Sequence, residues 1–338
     1  MVNTESHIDL KNLSVGYRLR GHNRVVIPNI NLRAAKGTLI ALVGSNGSGK
    51  STLLRTLVGL QPALSGEITI GNKPLGNFNR PELAQTLSFV GTHYDMHAMM
   101  RVHQVVSYGR YPYTNMVGTM KDYDRHIIRK AMHDTGIFHL RDAFISEISD
   151  GEKQRVLIAR SLAQDTDIIL LDEPTAYLDV KNKFEVLHLL GRLAHEKQKI
   201  IIFSSHDLQI VLGTADLLWF IDRKCIIQGM PEELVLRNKI NELFRHSEVY
   251  FDAEENEFKI NRKHHFDISL EGNGIFYKWT QKALNRMHIG INNQDAIGSI
   301  KIVEKQKDVN WKATIKNQSK TFESLQEMIA WIYRHQKT

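Results

Sequence analysis

Apolar residues along this chain follow two rhythms, and the places where the rhythm changes divide it. Residues 38–44 (TLIALVG) form a short unbroken apolar run closing on glycine, the pattern of a strand buried on both faces of a parallel sheet. Residues 50–60 (KSTLLRTLVGL) then set Leu53, Leu54, Leu57 and Leu60 at helical spacing. Residues 66–75 alternate with period two and break at Gly71-Asn72, a hairpin signal. Two more buried-strand runs, 167–174 and 199–207, are separated by a helical pattern over 183–193. Strands alternating with helices predict an α/β domain built on a mostly parallel sheet.

Between about residues 92 and 150 the β-branched runs vanish and helical periodicity takes over, which predicts a helical insertion. From about residue 241 the rhythm changes again. EVYFDAEENEFKI reads as two strands around an acidic turn, FDISL alternates, YKWTQKALNRM is helical, and SIKIV and WKATI are strands. The closing segment sets Leu325, Met328, Ile329, Ile332 and Tyr333 on one helix face. The expectation is a main domain over 1–240 and a small α+β module with its own core over 241–338. Neither repeats nor low-complexity tracts interrupt either part.

With 338 residues, 42% hydrophobic and 24% charged, the chain has the composition of a globular protein long enough for two domains. No apolar run approaches the roughly 18 residues that span a bilayer. The start, MVNTESHIDLKNL, lacks the basic and apolar regions of a secretory signal. A single cysteine, Cys225, excludes an internal disulfide framework and points to a reducing compartment, the cytoplasm. The net charge of +7 reads as a solvated basic face. Its densest lysine group, between Lys301 and Lys320, is not accompanied by an aromatic-interleaved run resembling an RNA-binding motif, so no nucleic-acid partner is expected.

The chemistry starts at 44–52, GSNGSGKST, which fits G-x-x-x-x-G-K-[ST] between a buried strand and a helix, the setting that motif requires. Gly44, Gly47 and Gly49 let backbone N–H groups turn inward around phosphates, with Ser45, Asn46 and Ser48 completing the loop. Lys50 reaches the β and γ phosphates, Ser51 offers a hydroxyl to Mg²⁺, and Thr52 follows in a helix start that favours anions. The run IILLDEP carries Asp172 to a strand end, where it can hold Mg²⁺ through water. Glu173, next along, can polarise the water that attacks the γ-phosphate. Alone, two adjacent acids are as readily a solvated turn; beside a phosphate loop they read as its partner.

Taken in order, the loop at 44–52, the segment 149–155, Asp172 and Glu173, the YLD at 177–179 and His206 resemble the ATPase subunit of an ABC transporter, over about residues 7–240. The resemblance implies a P-loop NTPase core with a helical subdomain at about 92–150, using ATP and Mg²⁺. It implies that Tyr17 stacks on adenine, that Asp179 lies in the D-loop and that His206 contacts the γ-phosphate. Two copies would face head to tail, each ATP held between Lys50 of one and Ser149 of the other. Transmembrane permease subunits are the implied partners, with a substrate-binding protein engaged indirectly. The implied location is peripheral, on the cytoplasmic face of the inner membrane. VVSYGRYPYT (105–114) resembles a segment of the subunits serving iron-siderophore, haem and cobalamin importers, especially versions from Bacteroides-like bacteria. The alternatives are an exporter ATPase, a soluble relative acting on ribosomes or DNA, or a chain whose C-terminal module is its main working part.

Two departures from the family pattern stand out. The glutamine expected after the strand that leads into the helical part is replaced by Thr92. The signature L-S-G-G-Q is matched by Ile148, Ser149, Asp150, Gly151 and Glu152. Ser149 and Glu152 have capping-box spacing, and Asp150 falls in a first helical turn where the dipole favours a carboxylate. Both acids are therefore expected to serve the helix start and to point away from nucleotide.

Overall fold

Two antiparallel strands, β1 (Ser6–Leu19) and β2 (His22–Ala35), open the chain and pair along their length. Their apolar residues Ile8, Leu10, Leu13, Val15, Ile27, Ile30 and Leu32 are buried. The computed structural model describes residues 6–92, 97–114, 118–222, 224–242, 244–245, 247–305, 308–316 and 318–336. It divides into two compact units, Met1–Leu243 and Phe244–Thr338.

In the first unit, β4 (Ser65–Ile70) and β5 (Lys73–Pro74) complete a four-stranded sheet in the order β2-β1-β4-β5. The β4–β5 hairpin turns at Gly71 and Asn72, as the alternation predicts. The second sheet has six strands: β3 (Thr38–Gly44), β6 (Leu87–Val90), β7 (Ile168–Leu171), β8 (Ile200–Ser205), β9 (Leu217–Asp222) and β10 (Cys225–Gly229). Their order is β10-β9-β3-β8-β7-β6; all run parallel except β10, which pairs antiparallel with β9 at the edge. The apolar runs of β3 (residues 39–43), β7 and β8 are buried throughout, which is why they lack the alternation of half-exposed strands. One core joins the inner faces of both sheets and packs Leu53, Leu54 and Leu57 of α1 (Lys50–Leu57) between them. Leu60, expected on that helix, lies outside it and is 69% exposed. Gly59, at φ 72°, turns the chain out of the helix, and the Leu60 and Gln61 N–H groups close on the Arg55 carbonyl.

Four further helices follow α1: α2 (Arg80–Thr86), α3 (Val102–Ser107), α4 (Asp122–Asp134) and α5 (Asp150–Ala163). The α5 helix starts at the end of the helical insertion expected over about 92–150, and α3 and α4 lie within that insertion. Its 3₁₀ segment Tyr108–Tyr113 has an inside and an outside. Arg110 is buried, donating to Asp124 Oδ1 at 2.9 Å and to the Ala163 carbonyl at 3.0 Å, while Tyr108 and Tyr111 are exposed. Gly109 comes so close to α5 that a Cβ there would meet the Arg160 carbonyl oxygen at 2.2 Å. Beyond β7, α6 (Val180–Lys197) leads back to β8.

The second unit has a two-stranded ribbon, β11 (Val249–Asp252) and β12 (Glu257–Ile260), around the acidic turn. Its five-stranded sheet comprises β13 (Phe266–Glu271), β14 (Ile289–Ile291), β15 (Gly298–Lys305), β16 (Asp308–Ile315) and β17 (Gln318–Phe322), in the order β14-β13-β15-β16-β17. The helices Gly274–Arg286 and Leu325–Gln336 contribute Leu284, Met328, Ile329 and Ile332 to a core that includes Ile268, Ile300, Trp311 and Phe322. Buried Thr280 accepts from Trp311 Nε1 at 2.8 Å, so the indole N–H is not left unpaired. Among the described residues no helix is long and apolar enough to cross a membrane.

Candidate functional site

The carboxyl end of the central sheet carries the site, because parallel strands with crossover helices leave their loops at that edge. β3 ends at Gly44, and α1 begins at Lys50 behind Gly49, whose left-handed φ of 108° turns the loop into the helix. A Cβ on Gly49 would also meet Val26 Cγ1 at 2.6 Å, so this glycine answers to both conformation and space. Lys50 is buried and folded over the loop, donating to the carbonyls of Gly44 at 2.9 Å and Ser45 at 3.3 Å. Burial holds its pKa below the ordinary lysine value, opposed by the nearby charges of Glu173 and Asp172. Ser45, Asn46 and Gly47 are exposed at the loop's crest, Ser48 is half-buried, and Tyr17 at the end of β1 shares a 3.1 Å hydrogen bond with Thr52 Oγ1. An exposed aromatic therefore stands beside the loop.

Asp172 leaves β7 next to Ser51. Ser51 Oγ donates to Asp172 Oδ1 at 3.1 Å, and Ser204 Oγ on neighbouring β8 donates to the same oxygen at 2.7 Å. Ser204 also accepts from the Glu173 N–H at 2.8 Å. Glu173 has φ 52°, a left-handed conformation uncommon for a residue with a side chain, and the Ser204 bond helps hold it there. His206, after β8, places Nδ1 3.6 Å from Glu173 Oε2. Ser204 escaped the sequence reading. Its signal is the register, since Leu171 pairs with Phe203 and the next residue on each strand is thereby a neighbour.

The donors suit a hard divalent cation. A serine hydroxyl and a carboxylate converge beside a phosphate loop, and Mg²⁺ takes few protein oxygens, completing its shell with phosphate and water. Ser51 and Asp172 are the residues that would hold it.

Away from this cluster, α5 starts as the capping box predicts. Ser149 N donates to Glu152 Oε2 at 2.8 Å, the Ser149 hydroxyl donates to the same oxygen at 2.7 Å, and the Glu152 N–H reaches Ser149 Oγ at 3.4 Å. Those bonds from the Ser149 N–H and hydroxyl hold the Glu152 carboxyl below its usual pKa. Asp150 points outward, 72% exposed, and pairs with Lys153 at 2.9 Å. Gly151 is buried. Asp179 caps α6, accepting from Asn182 N at 2.7 Å. Thr92 lies two residues past β6, half-buried.

Residues 27–176 match the family model described as ABC transporter. An uncharacterised ABC transporter ATP-binding protein of Methanocaldococcus jannaschii is 36% identical over 261 residues, covering 75% of this chain and 88% of that one. The chain belongs to the ABC transporter ATP-binding proteins. As a member of that family it binds and hydrolyses ATP. A second match, over 265–333, is to the iron ABC transporter C-terminal domain. The petrobactin import ATP-binding protein FpuD of Bacillus anthracis is 35% identical over 239 residues, 70% of this ATPase chain and 86% of the relative. Among solved structures, a chain provisionally assigned to a metal-chelate type ABC transporter, in an inward-facing conformation, superposes with a TM-score of 0.62 at 25% identity. That superposition covers 75% of this ATPase chain and 95% of the other.

Proposed function

We propose that this ATPase energises the import of an iron chelate of the siderophore class, as a head-to-tail pair of copies seated on transmembrane permease subunits at the cytoplasmic face of the membrane. The observation that carries the substrate class is the match of residues 265–333 to the iron ABC transporter C-terminal domain, and the petrobactin importer relative supports it. The exposed apolar side chains of Tyr177, Val180 and Phe184 flank Asp179, and they supply a face for the second copy to cover.

In this reading Lys50 leaves its loop carbonyls for the β and γ phosphates, and the inward N–H groups of 45–49 cradle them. Ser51 and Asp172 are the residues that would hold Mg²⁺, which would supply positive charge against the developing phosphate charge. Glu173, aimed by the Ser204 bond to its N–H, takes up the proton of the attacking water, with His206 beside it at the γ-phosphate. Ser149 and Gly151 of the second copy close the site from the opposite side, and Tyr17 faces the base.

The test is uptake. Reconstituted in vesicles with the membrane subunits that co-purify with it, the chain should drive ATP-dependent accumulation of a ferric siderophore and lose it on Lys50→Ala. Accumulation of haem or cobalamin instead would overturn the substrate class; ATP-driven efflux would overturn import.

A further inference from the structure

The first turns of α6 contain a residue that the motifs do not account for. Asn182 holds both oxygens of Asp179: its N–H donates to Oδ1 at 2.7 Å and its side-chain Nδ2 to Oδ2 at 3.1 Å. The same amide lies against Gly151. A Cβ built on Gly151 would sit 2.6 Å from Asn182 Oδ1 and 2.7 Å from its Cγ. Gly151 is an ordinary helical residue without positive φ, so its backbone does not demand glycine. Within this chain, the group that a side chain there would have to displace is the Asn182 amide.

The neighbours of Asn182 extend the junction. Glu185, on the next part of α6, pairs with Arg155 of α5 at 2.7 Å, fixing the two helices together one turn beyond Gly151. Lys183 pairs with Asp207 at 3.0 Å, and Asp207 directly follows His206. Asp179 and Gly151 thus lie at either end of one amide, in a stretch tied to both the signature helix and the turn that carries His206.

We propose that Asn182 is a positioning residue for the paired state: its amide fixes Asp179 and the start of α5 relative to each other, so that both are presented to the second copy in one arrangement. The inference rests on the head-to-tail reading. Preorganising two surface elements reduces the ordering that pairing requires.

The experiment uses the full chain carrying Glu173→Gln, with and without Asn182→Ala. Asn182 is half-buried, and the better helix propensity of alanine offsets the lost bond to Asp179, so thermal stability should change little. The ATP concentration for half-maximal pairing, read by light scattering, should increase roughly three- to tenfold, the worth of a hydrogen bond to a charged group and the ordering it spares. ATP affinity of the single copy, read with a fluorescent analogue below the pairing concentration, should not move. A merely structural Asn182 would change stability and leave the pairing midpoint alone; that result overturns the proposal. A second arm tests the contact without pairing: the stability lost on Gly151→Ala should be smaller when Asn182 is already alanine. Additive effects in that cycle would overturn the proposal too, even if the Glu173→Gln chain never pairs with ATP, an outcome that would by itself count only against the head-to-tail reading.

Discussion

Ser204 donates its hydroxyl to Asp172 Oδ1 across 2.7 Å, and the same oxygen atom of Ser204 accepts the Glu173 N–H. One buried serine thus sets the direction of both acids. Ser204→Ala leaves a buried carboxylate and a backbone N–H each short of a partner, which should cost about 1–3 kcal/mol of stability. Turnover should fall roughly tenfold or more through misalignment of Glu173, with little change in ATP affinity. Thermal unfolding and steady-state ATPase assays check this; parental turnover in a destabilised protein would show that Ser204 only packs.

The start of α5 carries a pH-dependent element. The Ser149 N–H and hydroxyl lower the Glu152 pKa in the folded chain, so the ionised cap contributes stability above the unfolded value of 4.5. That contribution is lost as pH falls through the lower folded value. Glu152→Gln has no charge to lose. The difference in thermal midpoint between the parent and this variant should be greatest near neutral pH and shrink below about pH 4.5. A difference that stays constant down to pH 3 would remove Glu152 from the cap.

Arg110 and Asp124 are both buried and joined at 2.9 Å. Arg110→Leu would strand the carboxylate, at a cost of about 3–5 kcal/mol. Asp124 also accepts the Lys121 N–H at 2.9 Å, so replacing both partners should recover only part of the loss. Chemical denaturation of the two variants measures it. Loss of ATPase activity without loss of stability would assign the GRYPY segment a direct role at the nucleotide.

Thr92 stands where the family pattern has glutamine, after a strand that pairs with β7 and so ends beside Asp172. If its hydroxyl takes over that polar role, Thr92→Val should slow hydrolysis while leaving the free energy of unfolding within about 0.5 kcal/mol of the parent. Thr92→Gln should hold activity or raise it. ATPase rates in the assembly with the membrane subunits decide the matter, and equal rates for valine and threonine would take Thr92 out of the site.

The phosphate loop, the acids after β7 and the capping box were readable because each is a local pattern whose chemistry depends on near neighbours in sequence. The β1–β2 hairpin was not. Asn12, at φ 48°, sits where the pairing register shifts between Leu10 and Leu13, so the apolar phase slips by one residue and period two is lost. Strand β14 is only three residues long, and β17 is polar up to its last residue, Phe322, so neither shows a rhythm. Ser204 and Asn182 lay hidden for a different reason. Their partners, Asp172 and Gly151, are about thirty residues away in sequence, brought close by strand register and by the packing of α6 on α5. The expected helix through Leu60 failed because helical spacing alone does not register the turn that Gly59 imposes.

The central claim is that ATP is bound between two copies and hydrolysed with Glu173 as base, and Glu173→Gln tests both halves in one preparation. Turnover should fall at least roughly 10²-fold while ATP binding persists. With ATP and Mg²⁺ present, light scattering should report twice the 38.8 kDa mass of the chain, and without ATP the single copy. Hydrolysis at the parental rate, or a species that stays at the single mass with ATP bound, would contradict the account.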